Sequence, residues 1–319
     1  MYKKFFKLKE NPFNVNPDPR YLFLTRHTQE AMACLTYGIE TRKGFILLTG
    51  EVGTGKTTLL NKLLEWLHQE RAATAYVFNP RLSVTQFFDF MMADFGIPCE
   101  SRFKSQVLIK LNQWLLERYR AGGRAVLIVD EAQNLSPQML EEIRLLTNLE
   151  TSSEKLLQIV LAGQPELEHK LNQPELRQLR QRITLRAKTL PLTLEETQGY
   201  IAERLRIAGN QGAEELFNAE AIQAIHRYAR GIPRVTNLLS EHALISAFVD
   251  QRNPVTPEIV DDAARDFGLH EIDPLAKALP PPANGDHPQL VESLLQALNT
   301  LVEHLNKTEV VAEKPESKS

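Results

Sequence analysis

The chain has 319 residues and a formal net charge of −3, with 43% hydrophobic and 24% charged residues, a balance typical of globular proteins and a length that sets a prior of two domains plus tails. The mild acidity excludes a wholesale polyanion binder but leaves room for a local basic surface, and no apolar run reaches the roughly 18–20 residues of a membrane-spanning helix. Cys34 and Cys99, without metal-ligand spacing, read as packed thiols of a reduced, cytoplasmic chain whose start lacks an apolar signal core.

Residues 1–27 read as a leading segment. From 28 to 191, strand-like apolar runs alternate with helical stretches, predicting an α/β core with a parallel five-stranded sheet flanked by helices. The expected strands are Phe45–Thr49, Ala75–Asn79, Ala125–Asp130, Leu157–Ala162 and Ile183–Leu190, with helices near 56–70, 84–95, 103–121 and 137–150. Pro191-Leu192-Thr193 marks a boundary. Thr193 suits an N-cap, and Glu196 three residues later completes a capping box. Residues 192–268 then read as an all-helical domain, with helices at 193–209, 218–230, 233–250 and 256–267. A Pro-rich linker is expected over 269–289. Beyond it, Val291, Leu294, Leu298, Leu301 and Leu305 form an a/d seam on an amphipathic helix over 290–306, as suited to folding back as to self-association. The polar tail, 307–319, is expected to be disordered.

Two motifs carry chemistry. Gly50-Glu51-Val52-Gly53-Thr54-Gly55-Lys56-Thr57, followed by Thr58, spells G-x-x-x-x-G-K-T between a strand and a helix. The glycines let successive N–H groups curl toward a phosphate, and the helix N-terminus adds partial positive charge. Lys56 is expected on the β- and γ-phosphates of a nucleoside triphosphate and Thr57 on Mg²⁺. The second motif is the strand Ala125–Val129 running into Asp130 and Glu131. Strand alternation directs consecutive carboxylates to opposite sides, so Asp130 is assigned to the metal and Glu131 to the attacking water.

Other residues end strands on the same edge of the sheet. Gln164 is placed to bond the γ-phosphate or the water. Asn79 is either a turn residue before Pro80 or a partner holding Glu131 idle. In the arginine-rich run Glu175–Ile183, Arg180 and Arg182 are candidates for neutralising phosphoryl charge in a neighbouring subunit. Arg234 falls in the first turn of a helix opened by Pro233. A cation there opposes the helix dipole by about 0.3–1 kcal/mol, which a role at the γ-phosphate would offset.

Together these features resemble the AAA+ ATPases, and more narrowly the ExeA/GspA-like (general secretion pathway protein A) family. The narrower likeness runs through Asn11-Pro12-Phe13, Asn16-Pro17-Asp18-Pro19, Glu30-Ala31-Met32, Tyr37-Gly38-Ile39, Gly50–Thr57, Asp130-Glu131-Ala132-Gln133-Asn134-Leu135, Gly163-Gln164-Pro165-Glu166-Leu167, Leu179–Ile183 and Gly231-Ile232-Pro233-Arg234. The resemblance implies an AAA+ core with a helical lid, ATP bound between them, and a ring or filament of identical subunits. It also implies that Tyr21 and Leu22 flank the adenine, that Lys56 and Thr57 are Walker A and Asp130 and Glu131 Walker B, and that Gln164 and Arg234 are sensors 1 and 2. Longer family members carry a membrane span and a peptidoglycan-binding domain after the ATPase, where this sequence has a linker and a short helix.

The implied role is an ATP-hydrolysing motor or assembly factor for an envelope-associated secretion, pilus or polysaccharide-export system, cytoplasmic or peripheral at the inner membrane. One alternative is a DNA-binding regulator of the transposition type, suggested by Lys3, Lys4, Lys7, Lys9, Arg177, Arg180, Arg182 and Arg186. Another is a slow nucleotide-gated switch.

Overall fold

The computed structural model describes residues 2–78, 82–98, 103–210 and 216–269. Asn79, Cys99, most of the linker, the amphipathic helix and the tail lie outside the described residues. Five parallel strands are ordered β2-β3-β4-β1-β5: β1 Phe45–Thr49, β2 Ala73–Val77, β3 Ala125–Val129, β4 Leu157–Gly163 and β5 Ile183–Lys188. Every residue of β1, β3 and β4 is buried, as expected of central strands covered on both faces.

Alternate residues feed two cores. Phe45, Leu47, Leu127 and Leu161 pack with α4 (Val84–Asp94), α5 (Lys104–Arg120) and α6 (Pro137–Leu146). Ile46, Leu48, Ile128 and Val160 pack with α2 (Arg26–Glu40) and α3 (Lys56–Gln69).

Strand pairing corrects four sequence boundaries. β2 starts at Ala73, whose N–H bonds Arg124 O, and pairs residue by residue with Ala125–Val129. It therefore stops at Val77, where its partner stops, and not at Asn79. β3 likewise ends at Val129, leaving Asp130 just beyond it. β5 ends at Lys188 because β1, its neighbour, ends at Thr49. α2 was not among the expected helices; Thr25 caps it, its side chain accepting the Thr28 N–H. The short α1 (Tyr2–Phe5), α7 (Pro165–Leu171) and α8 (Arg177–Arg182) also add to the expected set.

The helical region follows β5 as α9 (Leu194–Ile207), α10 (Ala219–Ala229), α11 (Pro233–Val249) and α12 (Pro257–Asp266). The Thr193 capping box forms in full: Thr193 N donates to Glu196 Oε2 at 2.9 Å and Glu196 N to Thr193 Oγ1 at 3.1 Å. One compact unit holds residues 1–261. A second begins at Asp262, and its described part, 262–269, comprises the end of α12 and the residues after it.

Residues 8–22 form a strap lying against α9. Phe13 is buried edge-on to Phe217, 6.0 Å between ring centroids. Arg204 of α9, itself buried, donates from Nε to Pro12 O and from Nη2 to Asn14 O at 3.0 Å.

Candidate functional site

The loop Gly50–Gly55 turns β1 into α3 through two left-handed residues, Gly53 (φ 79°) and Gly55 (φ 96°). Side chains are also excluded by space: a Cβ on Gly50 would stand 2.0 Å from Thr189 Oγ1, and one on Gly53 2.8 Å from Arg234 Cβ. Gly55 caps α3 without a side-chain bond, so the first-turn N–H groups of that helix are left for an anion.

Lys56 is buried and donates to the carbonyls of Gly50 (2.7 Å) and Glu51 (3.0 Å). Burial pulls its pKa down, opposed by the charges of Glu131, Asp130, Glu51 and Glu166. The ammonium thus sits in a loop whose carbonyls hold it where a phosphate would draw it away.

Thr57 and Thr58, in the first turn of α3, are half-buried. The Thr57 hydroxyl donates to Asp130 Oδ2 at 3.1 Å. Asp130 is 4% exposed, and its other oxygen accepts the Glu131 N–H at 2.9 Å. A hydroxyl and a carboxylate meeting beside a phosphate loop are the hard oxygen donors that Mg²⁺ takes from protein.

Glu131 differs from the sequence expectation in how its direction is set. Its backbone is left-handed (φ 53°, ψ 35°), a conformation that costs a non-glycine residue roughly 1–3 kcal/mol. The two carboxylates therefore diverge because the chain turns after Asp130, not because a strand alternates. Glu131 Oε2 accepts from Gln133 Nε2 and, at 3.3 Å, from Gln164 Nε2. Gln133 also ties the two, its Oε1 accepting the Gln164 N–H at 3.1 Å. A Cβ on Gly163 would stand 2.8 Å from that oxygen, so the bridge requires the glycine. Lys170 pins the turn below by donating to Leu135 O (2.8 Å) and Gln133 O. Among the described residues it is this pair of glutamines that holds Glu131; Asn79 lies outside them.

Arg234 enters through its backbone as well as its charge. Its N–H donates to Gly53 O at 3.2 Å, which seats the start of α11 on the phosphate loop. Burial lowers the guanidinium pKa and Glu131 opposes the shift. One further tie joins the loop to the segment after β5, and another joins that segment to the turn before α11. Thr54 donates to Glu51 O at 2.7 Å, so across the 2.7 Å hydroxyl pair Thr189 is the donor to Thr54. Leu192 N donates to Gly231 O at 2.7 Å, and a Cβ on Gly231 would stand 2.0 Å from Leu192 O. Thr189 and Lys170 have no signature in a short motif, since each acts by standing next to a motif residue in space.

Tyr21 is buried, touches α3 and α9 through its 3₁₀ turn Pro19–Tyr21, and has the Arg204 guanidinium over its ring at 4.4 Å. Burial, with Glu10 adding, pushes its phenol pKa up to about 12. Leu22 packs on the α2–α3 core.

Arg180 and Arg182 are not brought to the loop. Arg182 immediately precedes β5, whose first residue pairs with Phe45, so it stands at the opposite end of β1 from Gly50. There it donates to Thr147 Oγ1 at 2.9 Å in a hollow shared with Lys43, Arg144 and Lys155. Arg180 is exposed and donates to Asn172 Oδ1 at 3.1 Å. None of the described helices is long and apolar enough to cross a membrane.

Residues 39–171 match the AAA domain family model. General secretion pathway protein A of Aeromonas hydrophila is 46% identical over 249 residues, 78% of this chain, and the chain spans 45% of that protein's length. Among solved structures, Cdc6p from Pyrobaculum aerophilum superposes with a TM-score of 0.61 at 20% identity, covering 87% of this chain and 74% of that one. The ORC2 protein of Aeropyrum pernix in its ADPNP-ADP complexes gives 0.60 at 16% identity over 85% and 75%. The Thermotoga maritima RuvB Holliday junction branch migration motor gives 0.53 at 15% over 79% and 73%. At these identities the structural likeness shows the fold alone.

Proposed function

Because this chain belongs to the AAA-domain proteins, we propose that it binds ATP with Mg²⁺ and hydrolyses it, as an oligomeric motor or assembly factor of an envelope-associated secretion, pilus or polysaccharide-export system. The observation that carries the reading is the gathering of Lys56, Thr57, Asp130, Glu131, Gln164 and Arg234 around one glycine-cradled loop. The secretion setting rests on the likeness to general secretion pathway protein A. On this reading the protein is cytoplasmic, docking peripherally at the inner membrane.

Each side chain then has a task. The loop from Gly50 to Thr58 wraps the phosphates with its N–H groups, and Lys56 exchanges its two carbonyl partners for β- and γ-phosphate oxygens. Thr57 and Asp130 would hold Mg²⁺, which would supply neutralisation of phosphate charge. Glu131 leaves its glutamine partners to accept a hydrogen bond from the attacking water. Gln164, released from the same carboxylate, orients that water or the γ-phosphate. Arg234 reaches the γ-phosphate from α11 and transmits its presence to the helical region. Tyr21 and Leu22 flank the adenine.

Arg182 stands at the end of β1 away from its own loop and Arg180 is exposed, which supports their use across a subunit boundary. Lys56→Ala and Arg182→Ala (or Arg180→Ala) should each suppress hydrolysis alone. Mixed, they should regain activity, because some interfaces pair an intact loop with an intact arginine. No recovery at any mixing ratio would place the arginines outside the reaction.

A DNA-dependent regulator is the competing reading, favoured by the exposed Arg177 and Arg180. ATP-dependent gel retardation that weakens steeply with salt would select it.

A further inference from the structure

Tyr76 lies on β2 in register with Ile128 of β3, so the two side chains share one face of the sheet. Asp130, two positions past Ile128, falls on the diagonal that a long aromatic side chain can span. The phenol spans it, Oη donating to Asp130 Oδ2 at 3.0 Å. That oxygen also receives the Thr57 hydroxyl, while Oδ1 receives the Glu131 N–H. Three donors from three elements thus fix the plane of one buried carboxylate. A Thr57 oxygen would bind a cation through a lone pair and keep its O–H on Asp130, so Tyr76 and Thr57 together hold that carboxylate oxygen.

The tyrosine is itself held at both ends. Its N–H, on the open edge of the sheet, is taken by Asp94 Oδ2 at 2.6 Å. Its ring stacks on Phe78 (centroids 6.4 Å apart, planes at 26°), and Phe78 meets Phe90 edge-on at 5.9 Å. Phe78 is 61% exposed, so it contributes little to the core.

We propose that Tyr76, braced by Phe78, is a positioning residue that orients Asp130 toward a divalent cation. The proposal rests on the Mg²⁺-nucleotide reading given above. The test is a titration of the full chain with Mg²⁺ in the presence of a fluorescent ADP analogue, after treatment with EDTA, reading the Mg²⁺ concentration at half effect. Tyr76→Phe keeps the ring and loses only the hydroxyl. It should raise that concentration about tenfold, the lower range for loss of an outer-shell partner of a metal ligand, with nucleotide affinity in EDTA unchanged.

Asp130→Asn is the reference. If it too leaves the Mg²⁺ dependence intact, the cation reading itself fails. If it shifts the dependence while Tyr76→Phe superposes on the unmodified chain, the cation reading stands and the role given to Tyr76 is wrong. Should Tyr76→Phe not fold, as judged by its thermal melt, Phe78→Ala at an exposed position decides instead. A smaller shift in the same direction supports the proposal, and superposition overturns it.

Discussion

The phosphate loop and the strap are held in opposite ways. Lys56 reaches Gly50 and Glu51, and Thr54 reaches Glu51, so the curl of the loop closes on partners no more than six positions away, with Thr189 and Arg234 joining it from outside. The strap is held from far along the chain. Pro12 and Asn14 give their carbonyls to Arg204, and Tyr2 and Asn11 both donate to Glu241 Oε1, at 2.8 and 2.9 Å. Geometry closed within a few residues must be written as a local pattern, because only certain residue types adopt it. Geometry closed across nearly the whole helical region can use any side chain of suitable reach, and leaves no spacing to read.

The contrast can be broken at its strongest long-range contact. Arg204→Met keeps an apolar stem on Tyr21 and removes every donor, leaving the Pro12 and Asn14 carbonyls and the Tyr200 hydroxyl without that partner. Loss of buried partners on this scale should lower unfolding stability by about 3 kcal/mol, read as a lower urea midpoint at unchanged slope. An unmoved midpoint would mean that the packing of Phe13 on Phe217 holds the strap unaided.

Glu241 gives a smaller, pH-dependent version of the same test. Burial raises its carboxyl pKa above the ordinary 4.5, against hydrogen bonds from Tyr2 and Asn11 that act to lower it. The folded chain therefore keeps this proton to higher pH than the unfolded chain. Its contribution is full below the unfolded value and declines as pH rises from there to the raised folded value. Glu241→Gln should flatten that decline in melting temperature. An identical slope in the variant would assign it to other carboxylates.

The same contrast explains how much was legible. The sheet, its parallel sense, the helical region and the Walker-type residues follow from the apolar runs Phe45–Thr49 and Ala125–Val129 and the glycines between β1 and α3. The ends of β2 and β5 were misplaced because pairing with shorter neighbours, and not their own composition, stops them. Glu131 stands beside Gln133 and Gln164, but its direction was not legible, since a left-handed residue after a strand has no sequence mark when it is not glycine. Thr189, Lys170 and Tyr76 were unreadable for one reason: each is defined by the atom it touches. Gln133 does lie inside a quoted motif, and a side-chain amide two residues after a candidate carboxylate is the available signal.

Phosphate release by Glu131→Gln tests the central claim most directly. The variant keeps the size and the hydrogen bonding of the side chain but not its charge, so it should bind ATP as the unmodified chain does. Its turnover should fall by about 100-fold or more, the loss expected when a positioned general base is removed. Release at the unmodified rate, with binding intact, would contradict the account, because the carboxylate held between Gln133 and Gln164 would then have no part in the chemistry.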